Sequence, residues 1–156
     1  MTITSILRDQ KERTRFLRFS VVGAIGAVVD FGSFHVLESV LGVKAVWASV
    51  FSFTAAITSN FIWNRFWTYP DSRSKPIHNQ LVTFFFVNII GLVIRTPIFV
   101  LLESPLRDLF DRLEFLPVGL INADRLGYTF ALGVAVVVVM FWNFFVNRYW
   151  TYNDIE

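Results

Sequence analysis

Arg65 and Arg148 occupy the same local setting. Each directly follows an asparagine that has another asparagine four residues before it: Asn60 and Asn64 for the first, Asn143 and Asn147 for the second. Each then precedes an aromatic residue, a Trp, a Thr and a Tyr. A guanidinium binds phosphate oxygens through two parallel hydrogen bonds. Carboxamides four residues apart share one helix face. This arrangement suits recognition of a phosphate and a sugar. Plainer readings stand beside it: an arginine that snorkels to the headgroup layer, and asparagines that hold helices together by hydrogen bonds worth about 0.6 kcal/mol each in a bilayer.

Asp30 and Arg95 are a second pair, placed inside long apolar runs. Charge at membrane depth is expensive, so it faces the protein interior with a partner or lines a polar path. One reading is a buried ion pair; the other is a mid-membrane step for a polar headgroup, with Arg95 meeting an anion.

The elements that carry these residues are duplicated. NFIWNRFWTY at Asn60–Tyr69 returns as NFFVNRYWTY at Asn143–Tyr152, 83 residues later. Phe19–Glu38 aligns with Phe84–Glu103 at an offset of 65, which matches Gly26 with Gly91 and Asp30 with Arg95. An internal repeat this close is read before any local propensity. With 54% hydrophobic residues, 17% charged residues and a mean hydropathy of +0.54, the chain has the composition of an integral membrane protein. Cysteine is absent, which excludes disulfides, thiolate chemistry and Cys-based metal sites.

The apolar runs predict an all-α membrane protein with four transmembrane helices, near Phe16–Leu37, Ala45–Trp67, Leu81–Leu102 and Leu126–Trp150. They form two parallel-oriented two-helix repeats within a single domain, at about 16–69 and 81–152, related by a pseudo-two-fold axis along the membrane normal. Met1–Arg15 reads as a short surface helix or a solvated tail, and no cleavable signal peptide is expected. Pro97 predicts a kink in the third helix. In the connection 103–125, Leu106, Leu109, Phe110 and Leu113 have the spacing of an amphipathic helix lying on the membrane. Trp67, Tyr69, Trp150 and Tyr152 read as interface aromatics. Nine basic residues fall on the side holding both termini, among them Arg8, Lys11, Arg13, Arg15 and Arg18, against Lys44, Arg107, Arg112 and Arg125 on the other. The positive-inside rule then puts both termini in the cytoplasm, in a multi-pass protein of the cytoplasmic membrane.

Over nearly its whole length the chain resembles the GtrA-like family of small membrane proteins. RFLRFSVVGAIGAVVDF at Arg15–Phe31, its aspartate, and the doubled NFIWNRFWTY and NFFVNRYWTY exits carry the resemblance. The resemblance implies four membrane helices and translocation of a polyprenyl-phosphate-linked monosaccharide from the inner to the outer leaflet, for use by a membrane glycosyltransferase in cell-surface polysaccharide synthesis. It implies Asn60, Asn64, Arg65, Asn143, Asn147, Arg148 and Asp30 as functional positions. The long connection after Glu103 departs from a typical short member. On this reading Arg65 and Arg148 take the phosphate, the asparagines the sugar, and Asp30 and Arg95 the middle of the path, while the polyprenyl tail lies against Phe84–Phe86. The lipid-linked sugar and membrane lipids are the partners, together with a glycosyltransferase and further copies of the chain. No cofactor, metal, nucleic acid or enzymatic activity is expected. Two other functions fit the residues: a membrane anchor that recruits a polyprenyl-phosphate glycosyltransferase, and a small proton-coupled exporter working through Asp30.

Overall fold

The computed structural model describes residues 9–112 and 123–152. Four helices long and apolar enough to cross a membrane run through them, so this is a multi-pass membrane protein. We label them α1 (Gln10–His35), α2 (Ala45–Trp63), α3 (Ile77–Asp111) and α4 (Ala123–Val146). Asp9 caps α1: its side chain accepts from the Lys11 N–H at 2.8 Å and its carbonyl from the Arg13 N–H at 3.0 Å. One π-helical turn, Val36–Val40, ends this helix. Gly42 then reverses the chain with φ +66°, a left-handed conformation that glycine adopts without strain.

The first helix reaches further back than expected. From Gln10 to Arg15 the chain is the opening of α1 and not a separate surface helix; residues 1–8 lie outside the described ones. Helix α3 likewise extends past both expected ends and stays helical through Pro97 and Pro105. Membrane helices tolerate proline because neighbouring groups re-satisfy the freed carbonyl. Leu106, Leu109 and Phe110 therefore continue a spanning helix. Leu113 and the rest of the proposed surface helix, up to 122, lie outside the described residues.

The fold divides into two compact units, Met1–Phe85 with Val146–Glu156, and Phe86–Phe145. In the first, α1 packs on α2, and Val22 and Gly26 of α1 and Ala48, Ser52, Ala56, Ile57 and Phe61 of α2 are buried. A methyl group added to Gly26 would sit inside the Asn60 carboxamide. In the second, Gly91 meets Asn143 in the same way, with Asn143 Oδ1 2.8 Å and Val139 Cγ1 3.0 Å from where a Cβ would stand. At the other end of this unit, Gly127 lies against the backbone of Arg107, whose N and Cα would both be 2.7 Å from an added Cβ. Small residues let the backbones approach, which is how helices associate where the solvent is itself apolar.

The buried edge of α2 follows a four-residue spacing: Ala48, Ser52, Ala56, Asn60, Asn64 and Thr68. The corresponding edge of α4 is Ala131, Ala135, Val139, Asn143, Asn147 and Thr151. All twelve are buried or half-buried. Each four-residue step overshoots a turn of α-helix by about 40°, so this edge drifts around the axis. The wider winding of a π turn corrects the drift, and both edges end in one, at Asn64–Thr68 and Asn147–Thr151.

Gly26→Ala should lower stability in detergent by about 1–3 kcal/mol through overpacking, read as the midpoint of thermal unfolding. Asn60→Ala should restore much of the loss. Gly91→Ala, where the neighbours stand further off, should cost less.

Candidate functional site

The two motif exits share one backbone device. The Tyr69 N–H bonds to the Asn64 carbonyl and the Tyr152 N–H to the Asn147 carbonyl, each at 2.8 Å and each spanning five residues. Their arginines nevertheless meet different partners. Arg65, 7% exposed, donates to Gln80 Oε1 and to the carbonyls of Arg73 at 3.3 Å and Lys75 at 3.2 Å. Every one of these acceptors is neutral. Gln80 Nε2 in turn donates to the Ser72 carbonyl at 2.7 Å, and Ser72 Oγ to the Tyr69 carbonyl at 2.8 Å. The 3₁₀ turn Pro70–Ser74 is thus tied down around the Arg65 guanidinium.

Arg148 donates through Nε to Glu12 Oε1 at 3.2 Å and lies over the Tyr149 ring. Glu12, 4% exposed, also accepts from Arg15 Nη1 at 2.6 Å, and Arg15 Nη2 reaches Asp71 Oδ2 at 3.2 Å. This chain of two acids and two arginines joins the first turn of α1, the exit of α4 and the 3₁₀ turn.

Between the exits, Tyr69 and Tyr152 stack with ring centroids 4.5 Å apart and planes at 19°. Both are fully buried, a correction to their reading as interface aromatics; Trp67 and Trp150 are exposed as that reading required. Phe84, also buried, packs against Tyr152 and Phe61, so of Phe84–Phe86 only Phe85 and Phe86 offer exposed surface. Burial pushes the Tyr69 phenol well above its ordinary range, with Glu12 adding to the effect and Arg148 and Arg15 opposing it. Burial raises Tyr152 too, helped by Tyr69 and opposed by Arg65.

Among the described residues, seven buried side-chain atoms have no hydrogen-bond partner in the protein: Asn60 Oδ1, Asn64 Oδ1, Thr68 Oγ1, Tyr69 Oη, Asn143 Oδ1, Asn147 Nδ2 and Tyr152 Oη. Every one belongs to the doubled motif. At about 1–3 kcal/mol for each unsatisfied group, the set would cost as much as a whole domain's stability. Water or a polar ligand has the groups that would satisfy these atoms. The copies differ in one respect: Thr151 Oγ1 donates to Asn147 Oδ1 at 2.7 Å, whereas the equivalent Thr68 and Asn64 oxygens are both unpartnered.

The remaining predicted positions fall in different units. Asp30 is half-buried in the first, and its carboxylate makes no hydrogen bond or ion pair with a described residue of that unit. Arg95 is half-buried in the second. Glu12, Arg15, Asp71 and Gln80 complete the surroundings of the motif arginines and were not among the predicted residues. The one signal for Gln80 is an amide on the first turn of an apolar helix. Glu12 and Arg148 are 136 positions apart, beyond any local spacing.

Comparison with known proteins bears on this geometry. Residues 18–152 match the family described as "GtrA/DPMS, transmembrane domain". The chain is 26% identical over 136 residues to a dolichol-phosphate mannosyltransferase of Pyrococcus furiosus, covering 87% of this chain and 35% of that protein. It is 28% identical over 145 residues to the "uncharacterized membrane protein YngA" of Bacillus subtilis, covering 92% and 84%. The chain thus spans about a third of the Pyrococcus protein and most of the Bacillus one.

Glu12→Ala should lower stability by about 3 kcal/mol, because removing one member of a buried ion pair strands the other charge. Adding Arg148→Gln should return part of that loss in the same unfolding assay. In an alkaline titration followed by phenolate absorbance, two of the four tyrosines should ionise only as the protein unfolds. A raised folded-state pKa means that the stability from Tyr69 and Tyr152 is complete well below pH about 10, the midpoint for unfolded tyrosine, and is lost as pH climbs through and beyond it.

Proposed function

From the GtrA/DPMS transmembrane-domain family, to which this chain belongs, we propose that it carries a polyprenyl-phosphate-linked monosaccharide across the cytoplasmic membrane, for use by a glycosyltransferase at the outer face. The observation that carries the reading is the set of unpartnered buried polar atoms confined to the doubled motif. A sugar phosphate brings the hydroxyls and oxygens that these groups lack. A polar headgroup cannot cross bare hydrocarbon, because each unsatisfied group costs several kcal/mol there. The carboxamides of Asn60, Asn64, Asn143 and Asn147 take the sugar on this reading. Asp30 and Arg95 line the path further from the motif.

Arg65 and Arg148 divide the phosphate between them. Arg65 keeps a full uncompensated positive charge, since its acceptors are all neutral. Arg148 exchanges Glu12 for the phosphate, and Glu12 does not become an orphan because Arg15 still holds it at 2.6 Å. The excess of basic residues at the motif side supports cytoplasmic termini and loading from that face. Four helices make a thin wall around a headgroup, so a homo-oligomer belongs to the proposal.

A membrane anchor for a glycosyltransferase is the second reading. It is favoured by the Pyrococcus relative, of which this chain matches only about a third and whose name is that of a mannosyltransferase.

In liposomes holding labelled polyprenyl-phosphate sugars, Arg65→Ala should slow inner-to-outer movement tenfold or more and Arg148→Ala several-fold. Arg13→Ala, an exposed position, should leave it unchanged. Equal rates for wild type and Arg65→Ala/Arg148→Ala, with loss of a co-purifying glycosyltransferase from the double variant, would favour the anchor.

A further inference from the structure

Within the second unit, Arg95 lines a cavity of about 160 Å³ together with Leu92, Thr96 and Phe99 of α3 and Tyr128 and Leu132 of α4. No carboxylate is among the six, and Arg95 makes no hydrogen bond or ion pair with a described residue of this unit. A half-buried guanidinium without a counterion among the described residues of its pocket attracts an anion. Two hydroxyl-bearing residues line the same pocket, one from each helix. The Thr96 hydroxyl is held only by a 3.5 Å contact with the Leu92 carbonyl, the outer limit of a hydrogen bond. Tyr128 brings a phenol.

The pocket is braced. Gly127, next to Tyr128, presses on the Arg107 backbone, Phe99 and Tyr128 meet edge to face at 5.1 Å, and Phe110 packs on Phe130 at 5.1 Å. Its volume of about 160 Å³ is ample for a phosphate group. Along the expected span Leu81–Leu102, Arg95 stands about 21 Å from the start and about 10 Å from the end, which puts its pocket in the half of a hydrocarbon core of about 30 Å that is remote from the motif.

We propose that this pocket binds the phosphate of an anionic lipid from the leaflet opposite the doubled motif, with Arg95 as the charged contact and Thr96 and Tyr128 as hydrogen-bond donors. A lipid fits the walls better than a soluble ion does, because Leu92, Leu132 and Phe99 are apolar and Leu92 is 44% exposed on the helix surface. Only the part this site would play in transport rests on the function proposed above, where it becomes the place of release. Binding is tested by itself, so failure of either leaves the other standing.

The full chain, purified in detergent, is titrated with phosphatidic acid or phosphatidylcholine and the bound lipid is counted by native mass spectrometry. Wild type should retain one phosphatidic acid at least tenfold more tightly than Arg95→Gln does. Phosphatidylcholine should show no such difference. Arg95→Lys should retain most of the affinity, Tyr128→Phe should lose two- to threefold, and Arg13→Ala should match wild type. Millimolar inorganic phosphate should not displace the lipid; displacement that vanishes with Arg95→Gln would overturn the lipid as ligand in favour of a soluble phosphate. Equal retention by wild type and Arg95→Gln overturns the site. Should Arg95→Gln fail to fold, equal retention by wild type and Tyr128→Phe overturns it instead.

Discussion

Two helix pairs in this protein approach closely at a glycine, and in both the residue that fills the gap is an asparagine. Asn60 rests on Gly26 and Asn143 on Gly91. Lipid gives apolar side chains no reason to prefer one another over acyl tails, so close backbone approach and buried amides must hold the pairs together. The four-residue edges of α2 and α4 supply both, small residues along one half and carboxamides and threonines along the other. The same constraint explains the π turns. Without the wider winding, the end of each edge would rotate away from its packed side just where Asn64, Thr68, Asn147 and Thr151 are buried.

A guanidinium buried beside a membrane must find acceptors, and the two exits solve this in different ways. Arg65 collects a side-chain amide and two carbonyls, which gives its Nη atoms acceptors and leaves its charge. Arg148 uses a carboxylate already held by Arg15, which supplies a countercharge through one hydrogen bond. A duplicated sequence has thereby acquired electrostatically unequal halves. The difference lies not in the motif but in what surrounds it: Gln80 and the 3₁₀ turn at one exit, the opening of α1 at the other.

Much of this was legible beforehand. The 83-residue repeat placed equivalent residues in equivalent backbone turns, and the Gly26–Gly91 match proved to be a match of helix contacts. Apolar runs gave the four spans because a bilayer leaves so few alternatives. Position alone puts the tyrosines beside the headgroups, where aromatic rings gather, whereas each is covered by the other. Charge and proline break the apolar pattern at Met1–Arg15 and 103–125, so the first reads as a surface helix or a solvated tail and the second as a surface helix. Helix α1 includes those charges from Gln10 onward by pairing Glu12 with Arg15, and α3 runs through both prolines. The counterions of Arg148 and Arg65 could not be read at all, since no local periodicity connects position 12 with 148 or chooses Gln80 from its neighbours.

The stacked tyrosines also bear on how such a chain could have arisen. Each ring gives one face to its counterpart from the other repeat, at 4.5 Å, so a polypeptide with a single copy would leave that face bare. A half-length forerunner would therefore have been driven to pair with itself, ring against ring. Joining two such halves in one gene would make that encounter permanent and free each half to change its neighbours independently, as the unequal settings of the two arginines illustrate.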